Sequence, residues 1–388
     1  MNSKLPTRSF ACMEEFDGVH VRSLATPVLY EHTFVGTAVD SAGPEMGSAL
    51  YKGAHIKNFE TTSAFAFNIT LQDGAEIDQK VGTELLVDAQ HQMNVEGSGN
   101  RLQVTGNASI DLGNLGFDKN AGLIIQCDQI GTSAPTVSLR GVLDLPEGSV
   151  LQLRGAGRFI FADGAAISLN GNSSTDKLAL FSLGDGAELS VAANGRAYVG
   201  GNGAFEVTRN ARLRVDQGAS LHIADLPTAL AADRVHNVDF TVDQGGQILI
   251  AATAASGTGR MRFIGNGAFS FAADGAQVII GNTGTLAFNV DAANAPKRGW
   301  LKSFTMQLAT MKLYGSLLFG PNKLDEHFAD VKTQVDLTES LIDGGGAVTV
   351  LSQDPVRLTT GTQTSPIANL TLKAISQQVL PAAILVAS

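Results

Sequence analysis

A repeat of eight residues runs through the stretch 188–223, and it restricts the possible folds more than any other feature of the sequence. Two series of apolar residues recur at this interval: Leu189, Ala197, Phe205, Leu213 and Leu221, and Val191, Val199, Val207, Val215 and Ile223. The members of a pair are two positions apart, so their side chains lie on one face of a β-strand. The glycines and asparagines between the pairs tolerate the positive φ of a tight turn. The pattern predicts short strands joined by tight corners.

The same repeat extends, with interruptions, over residues 61–292. Four consecutive pairs precede the first stretch: Leu143/Leu145, Leu151/Leu153, Phe159/Phe161 and Ile167/Leu169. The chain has 43 glycines but only 11 prolines among its 388 residues. This composition indicates many short strands with regular turns rather than a disordered linker rich in glycine and proline.

Three such strands with their corners make a coil of roughly 24 residues. If each coil hydrogen-bonds to the next, the product is an all-β solenoid of the parallel β-helix type, with one apolar face turned inward. An antiparallel meander or sandwich also gives an eight-residue spacing. The two folds differ in stacking, because a solenoid places like residues above like. The phenylalanines at 159, 161, 205, 269 and 271 suit such stacking, so we expect the solenoid.

The two ends of the chain depart from the repeat. Residues 1–60 are interpreted as a head or attachment segment, and residues 293–388 as a C-terminal capping or association domain, both β-rich and non-repetitive. A solenoid needs such segments, since unpaired backbone groups at its ends invite aggregation. The predicted organisation is a head of residues 1–60, a solenoid shaft of residues 61–292 and a cap of residues 293–388.

Charge and cysteine content limit the partners and the compartment. The net charge of −10 disfavours nucleic acid, whose phosphates require a basic surface. Cys12 and Cys127 match no metal or redox motif, so we expect two free buried thiols. No secretory signal and no apolar run of about 18 residues are found, which predicts synthesis in a cytoplasm and no membrane insertion.

Four aspartates precede Gly-Ala in equivalent turns: Asp73, Asp163, Asp185 and Asp274. Repeated carboxylates suggest calcium or sugar binding, but the calcium-binding nonapeptide repeat requires Gly-Gly-x-Gly-x-Asp in series. Only the Gly-Gly-Asn-Gly of residues 200–203 resembles its first half. We interpret the aspartates as turn residues that hydrogen-bond their own backbone, and we predict no metal site.

The histidines, serines and glycines form no recognised catalytic or cofactor motif. The seven histidines lack metal-binding spacing, and His222, which alternates with Leu221 and Ile223, is expected at the surface. No Gly-x-Ser-x-Gly motif and no Ser/His/Asp spacing indicates a nucleophile. The Gly-x-Gly pairs lack the third glycine and the βαβ context of a dinucleotide site. We therefore predict no catalytic residue and no cofactor.

A solenoid that cleaves glycans would need two carboxylates beside a groove. Four acidic residues of the repeat are candidates that the sequence does not pair: Glu188, Glu206, Asp216 and Asp243. Nineteen phenylalanines against four tyrosines and one tryptophan indicate a core rather than a wet binding surface. A glycan depolymerase is the enzymatic alternative to a non-enzymatic protein.

The glycine-cornered repeat, the irregular head and the distinct C-terminal segment together resemble the β-helical tail fibres and tailspikes of bacteriophages. The resemblance is one of architecture over about residues 61–290. It implies a virion structural protein, made in the host cytoplasm, that acts in host attachment or particle assembly. It also implies a homo-oligomer, with a trimer favoured, that contacts other virion proteins through residues 1–60. A host-surface glycan or receptor is the implied ligand.

Two non-enzymatic alternatives have their own predictions. A solenoid surface adhesin predicts an export signal, whereas a polymer-forming scaffold predicts filaments from the purified protein. If the chain recognises a ligand, we expect the contact at its ends or at the polar loop of residues 170–177, which interrupts the repeat.

Overall fold

The computed structural model describes residues 15–17, 20–21, 48–50, 55–61, 69–79, 84–86, 92–113, 115–172, 177–227, 230, 236–253, 257–271, 275–288, 301–306, 309–319, 334–336, 341–344, 347–350, 371–373 and 376–379. Within these ranges every regular element is a β-strand and none is a helix. This part of the chain accordingly has no helix that is long and apolar enough to span a membrane. The predicted all-β class is confirmed.

The first eighteen strands are β1 Glu15–Asp17, β2 His20–Val21, β3 Ser48–Leu50, β4 His55–Thr61, β5 Ile69–Gln72, β6 Glu76–Gln79, β7 Glu84–Leu86, β8 Met93–Glu96, β9 Asn100–Thr105, β10 Ser109–Leu112, β11 Leu115–Phe117, β12 Gly122–Asp128, β13 Thr136–Leu139, β14 Val142–Pro146, β15 Val150–Gly155, β16 Arg158–Phe161, β17 Ala166–Asn170 and β18 Ala179–Gly184. The remaining strands are β19 Glu188–Val191, β20 Arg196–Val207, β21 Arg212–Val215, β22 Ala219–Ile223, β23 Asn237–Val242, β24 Gln247–Ile250, β25 Gly259–Phe263, β26 Gly267–Phe271, β27 Gln277–Ile280, β28 Gly284–Phe288, β29 Leu301–Met306, β30 Thr310–Leu313, β31 Ser316–Phe319, β32 Gln334–Asp336, β33 Leu341–Asp343, β34 Ala347–Val350, β35 Thr371–Lys373 and β36 Ser376–Val379.

The chain divides into two compact units. The first consists of Met1–Ile160 with Asn170–Phe181, and the second of Phe161–Leu169 with Ser182–Ser388.

In the first unit the strands form three parallel ladders, in which each strand pairs with a strand further along the chain. The ladders are β1-β4-β6-β9-β12-β15, β3-β5-β8-β11-β14 and β7-β10-β13. For example, Leu71 pairs with Val95, and Leu102 pairs with Ile125. The sequence separations within these pairs agree with the predicted coil of three eight-residue units.

The second unit also contains three parallel ladders. They are β20-β22-β25-β28-β31-β34-β36, β20-β23-β26-β29-β32 and β19-β21-β24-β27-β30-β33-β35. Leu189 pairs with Leu213 at the predicted separation of one coil, but Leu213 pairs with Ile248 at a clearly longer one. The added residues lie between β22 and β23, where the sequence repeat is interrupted. The sequence spacing of paired residues therefore changes here, while apolar residues still pair with apolar residues.

The predicted inward face is buried. All ten apolar residues of the two series in 188–223 are at most 4% exposed. Phenylalanines also occupy one register position of the second unit, where Phe205 pairs with Phe240, Phe240 with Phe269, and Phe269 with Phe304. Successive ring centroids are 4.9, 5.2 and 5.3 Å apart, distances typical of favourable aromatic pairs. Like residues thus lie above like.

The corners use glycine and asparagine as predicted. Gly218 has a φ of +80° and Asn194 a φ of 57°, both in the left-handed region. A Cβ atom at Gly218 would collide with Oδ1 of Asn194, so the asparagine of one corner covers the glycine of the next. Asn210 covers Gly245 in the same way.

Parallel pairing continues beyond both predicted limits of the shaft. β1 pairs with β4 inside residues 1–60, and β34 pairs with β36 inside residues 293–388. The division into a head, a shaft and a cap at residues 60 and 292 stays a prediction.

Candidate functional site

Three polar side chains form a hydrogen-bonded chain at the end of β22. The strand turns its apolar residues inward, so Ser220 and His222 lie on its outer face. Nε2 of His222 is 3.1 Å from Oγ of Ser220, and its Nδ1 is 3.1 Å from Oδ2 of Asp225. Asp225 is held in place because its Oδ1 accepts a hydrogen bond from the backbone N–H of Leu226 at 3.0 Å. A hydroxyl, an imidazole and a carboxylate in this order allow the imidazole to accept the proton of the serine.

His222 is buried, which corrects the expectation that it lies at the surface. Its relative exposure is 6%, and its ring centroid lies 5.0 Å from that of Tyr198 at an interplanar angle of 58°. Tyr198, His222 and Arg262 occupy one register position on neighbouring strands. The ring of Tyr198 packs against His222 on the outer face of β22, so alternation along the strand did not predict the burial of His222.

A second buried histidine lies in the same unit. His236 is 2% exposed, and its Nδ1 accepts a hydrogen bond from the backbone N–H of Gly201 at 2.9 Å. The other five histidine side chains lie outside the described part of the chain.

Two arginines flank Ser220 along the ladder. Arg196 pairs with Ser220, and Ser220 pairs with Arg260 on the other side. Both arginines are exposed, and Ser220 is partly exposed. A hydrogen bond with Tyr198 is the main reason that the pKa of the Arg196 guanidinium lies above its ordinary value. The backbone position of Ser220 therefore lies between those of two arginines, whose guanidinium groups are permanently charged.

The structure brings together three residues that no sequence motif connects. Ser220, His222 and Asp225 are close in sequence, whereas familiar triads draw their members from distant segments. The available signal was Ser-x-His on a strand, which places both side chains on one face, followed by an aspartate just beyond the strand end.

The four candidate carboxylates for glycan cleavage fall into two pairs within the second unit. Arg214 joins the first pair, with Nη1 3.3 Å from Oε1 of Glu188 and Nε 3.0 Å from Oδ2 of Asp216. The second pair is Glu206 and Asp243. Burial, and then the charge of Asp243, raise the pKa of Glu206. Oδ1 of Asp243 is buried without a hydrogen-bond partner.

The turn aspartates behave in more than one way. Asp73 and Asp185 adopt left-handed φ angles of 49° and 53°. Asp163 instead accepts a hydrogen bond at 2.9 Å from the N–H of Arg196, outside its own turn, so the interpretation of a bond to its own backbone does not describe this residue. Asp274 lies outside the described residues. No group of three or more His, Cys, Asp or Glu side chains in the described ranges is arranged to hold a metal ion.

A groove of about 340 Å³ lies on the first unit. Asn94, Gly116 and Asp144 share one register position along its floor. The amide of Gln92 occupies the space that a side chain at position 116 would fill. The residues that line this groove include no serine, cysteine or histidine, so it offers polar contacts but no nucleophile or imidazole base.

The predicted loop of residues 170–177 begins and ends at a bridge. Asn172 pairs antiparallel with Lys177, and Nζ of Lys177 donates a hydrogen bond to Oδ1 of Asn120 at 3.2 Å. Residues 173–176 lie outside the described part of the chain.

Comparison with protein-family models, with curated proteins and with solved structures finds no match to this chain.

Proposed function

We propose that the chain is a non-enzymatic structural protein whose repetitive part forms a parallel β-solenoid shaft. The observation that carries the proposal is the series Phe205, Phe240, Phe269 and Phe304, in which each residue pairs in register with the next. In a solenoid each coil lies on the preceding one, so a residue type recurs above itself. An antiparallel meander or sandwich reverses the strand direction and gives no such parallel series.

The order in which the chain visits the ladders also supports a solenoid. In the first unit β8, β9 and β10 belong to three different ladders, and β11 then pairs with β8. When consecutive strands belong to three ladders in turn and the fourth strand again belongs to the first ladder, the chain follows a three-sided coil. The sequence separation of the paired residues Met93 and Leu115 is close to the length of such a coil.

We propose further that the shaft belongs to a virion appendage of the tail-fibre or tailspike kind. The support is the resemblance in repeat and segment order. Residues 1–60 would attach to other virion proteins, and residues 293–388 would associate as a homo-oligomer, with a trimer favoured. A host-surface glycan or receptor would be the ligand. The net charge of −10 makes nucleic acid an unsuitable partner.

Electron microscopy of the purified full-length chain, combined with light scattering of the protein as it elutes from a size-exclusion column, tests this proposal. The expected result is rod-shaped particles with three times the chain mass of 40.4 kDa. Gold-labelled antibodies should then mark an appendage on virions that carry the protein. Compact monomeric particles would contradict the shaft, whereas rods that never associate with a particle would contradict only the virion role.

A glycan depolymerase is a second candidate, favoured by the Glu206–Asp243 pair. Burial raises the pKa of Glu206, as a general acid for glycoside cleavage requires. The test is release of reducing ends from host-surface polysaccharide by the wild type and by Glu206→Gln and Asp243→Asn variants. Cleavage that both substitutions abolish would replace the non-enzymatic proposal.

A further inference from the structure

We propose that Ser220, His222 and Asp225 form a hydrolytic site for carboxylic esters that carry a negative charge. The site lies on the outer face of β22. Its activity would be additional to the proposed shaft, and it would replace only the non-enzymatic part of the proposed function. Two contacts of 3.1 Å link the three side chains in the order that acyl transfer requires.

Burial differs along the chain of hydrogen bonds in a way that suits a nucleophile and its base. His222 and Asp225 are 6% and 3% exposed, whereas Ser220 remains partly exposed. An ester can therefore approach the hydroxyl, while the imidazole and the carboxylate are shielded from water. Shielding strengthens the interaction between the carboxylate and an imidazolium that forms during the reaction.

The charge preference follows from the ladder. Arg196 and Arg260 hold the register positions on either side of Ser220, and both lie on the outer face. Guanidinium groups bind carboxylates in a bidentate manner and stabilise a developing oxyanion. An ester with a carboxylate near its acyl carbon can thus place that carboxylate on one arginine and its reacting carbonyl beside Ser220.

The reaction proceeds in two balanced steps. Oγ of Ser220 attacks the ester carbon while its proton passes to Nε2 of His222, and the bond from carbon to the leaving oxygen breaks as that oxygen takes the proton from Nε2. Water then attacks the acyl-serine, its proton passes to Nε2, and the bond from carbon to Oγ breaks as Oγ recovers a proton. The net change is ester plus water to acid plus alcohol, with no oxidant or reductant.

Labelling with a fluorophosphonate, which forms a phosphorus–oxygen bond to an activated serine and releases fluoride, tests the nucleophile. Peptide mass spectrometry should find the adduct on Ser220 of the wild-type protein. The adduct should be absent from Ser220→Ala and unchanged in Ser270→Ala, a control that removes another partly exposed outward serine. An adduct at other serines alone, or none above heat-unfolded protein, would overturn the proposal.

Hydrolysis of 4-nitrophenyl acetate and of the mono-4-nitrophenyl ester of succinate tests the charge preference. We expect a higher kcat/KM for the succinate ester, and a loss of at least about 100-fold in Ser220→Ala. Arg196→Ala should raise KM by a larger factor for the succinate ester than for the acetate ester, because only the succinate ester has a carboxylate for the guanidinium to bind. Equal rates in the wild type and Ser220→Ala would show that the serine is not the nucleophile.

Asp225 is a positioning residue, so its test needs a readout that a loss of folding does not produce. Asp225→Asn preserves shape and an acceptor for the N–H of Leu226 but presents a donor to His222. We expect kcat to fall by about 100-fold or more while KM and the melting temperature change little. An unchanged kcat in a folded Asp225→Asn variant would show that the three residues form a structural hydrogen-bond network and not a catalytic site.

Discussion

The rings of Phe240 and Phe269 are stacked, with centroids 5.2 Å apart and planes inclined by 20°. The two residues pair in register between β23 and β26, and both are fully buried. One contact therefore reports the parallel register of two strands and the close packing of the core between them. Stacked aromatic pairs add about 0.5–1.5 kcal/mol to the free energy gained from burying their area.

Phe240→Ala should lower the free energy of unfolding by about 3–5 kcal/mol, the usual cost of removing a buried aromatic ring. The loss has two sources, because the change leaves a cavity and separates the ring of Phe205 from that of Phe269. Differential scanning calorimetry of the purified variant measures the effect as a lower melting temperature.

Thr241→Ala is the matched control, since Thr241 is the next residue of the same strand and faces outward. We expect a change within about 0.5 kcal/mol. Comparable losses from the two substitutions would mean that the alternation of buried and outer residues in β23 is incorrect.

Gly218→Ala should destabilise the protein for two separable reasons. The φ of +80° at Gly218 costs a residue with a Cβ atom about 1–2 kcal/mol, and the new Cβ would also collide with Oδ1 of Asn194. Gly186→Ala is the control, because Gly186 has a φ of +84° but nothing within 4 Å of its added Cβ. In thermal unfolding, the melting temperature of Gly218→Ala should be lower than that of Gly186→Ala.

The double variant Asn194→Gly/Gly218→Ala isolates the collision. Removing the asparagine side chain leaves only the φ strain at position 218. The double variant should therefore lose about as much stability as Gly186→Ala does. If the double variant is no more stable than Gly218→Ala, the contact between the Asn194 side chain and a Cβ atom at position 218 does not contribute to the loss of stability.

The core residues could be predicted from the sequence because side chains alternate between the two faces of a strand, and this alternation depends only on neighbouring residues. Leu213 and Val215 are two residues apart, and alternation in a strand places both inside, as observed. The corners were predicted for a similar reason, since the preference of Gly218 and Asn194 for positive φ is a property of those residues alone. Neither inference needed knowledge of which strands pair.

The candidate site was not predictable from local rules. The burial of His222 depends on Tyr198, which reaches it through strand pairing. The grouping of Glu206 with Asp243 likewise needs the register of β20 and β23. The eight-residue repeat does not predict the strand register at this point, because Leu213 pairs with Ile248 rather than with a residue three repeats further on.

Cys127 should react slowly with thiol reagents in the folded protein. Burial is the main cause that raises the pKa of its thiol from 9.0 to about 12. At pH 8 the thiolate fraction is then roughly 1,000-fold lower than in the unfolded chain. A Cys12→Ser variant leaves Cys127 as the single cysteine, and labelling with Ellman's reagent before and after unfolding in urea measures the ratio.

The same pKa shift determines how the stability of the protein changes with pH. The folded state holds the thiol proton more tightly than the unfolded state, so the stability contributed by the buried thiol is complete below pH 9.0 and is lost as the pH rises towards about 12. A Cys12→Ser/Cys127→Ala variant should lose less stability over this interval. Rapid labelling of the folded protein at pH 8 would contradict the burial of Cys127.

Glu206→Gln should stabilise the protein at pH 7. Burial, with the charge of Asp243 second, raises the pKa of Glu206, which means that its ionised form is unfavourable in the folded state. The stability associated with the protonated carboxyl is present at low pH and lost as the pH rises through the folded pKa. A neutral glutamine avoids that loss, so we expect a higher melting temperature at pH 7 and no gain at pH 3.

Glu188→Gln should act in the opposite direction at pH 7. Its carboxylate lies 3.3 Å from Arg214, and the loss of a partly exposed ion pair costs about 0.2–1 kcal/mol. The two substitutions make the same chemical change on the same unit, so a difference in sign reports their surroundings alone. If both lowered the melting temperature at pH 7, Glu206 would be stabilised by a favourable partner and its proposed role as a protonated acid beside Asp243 would fail.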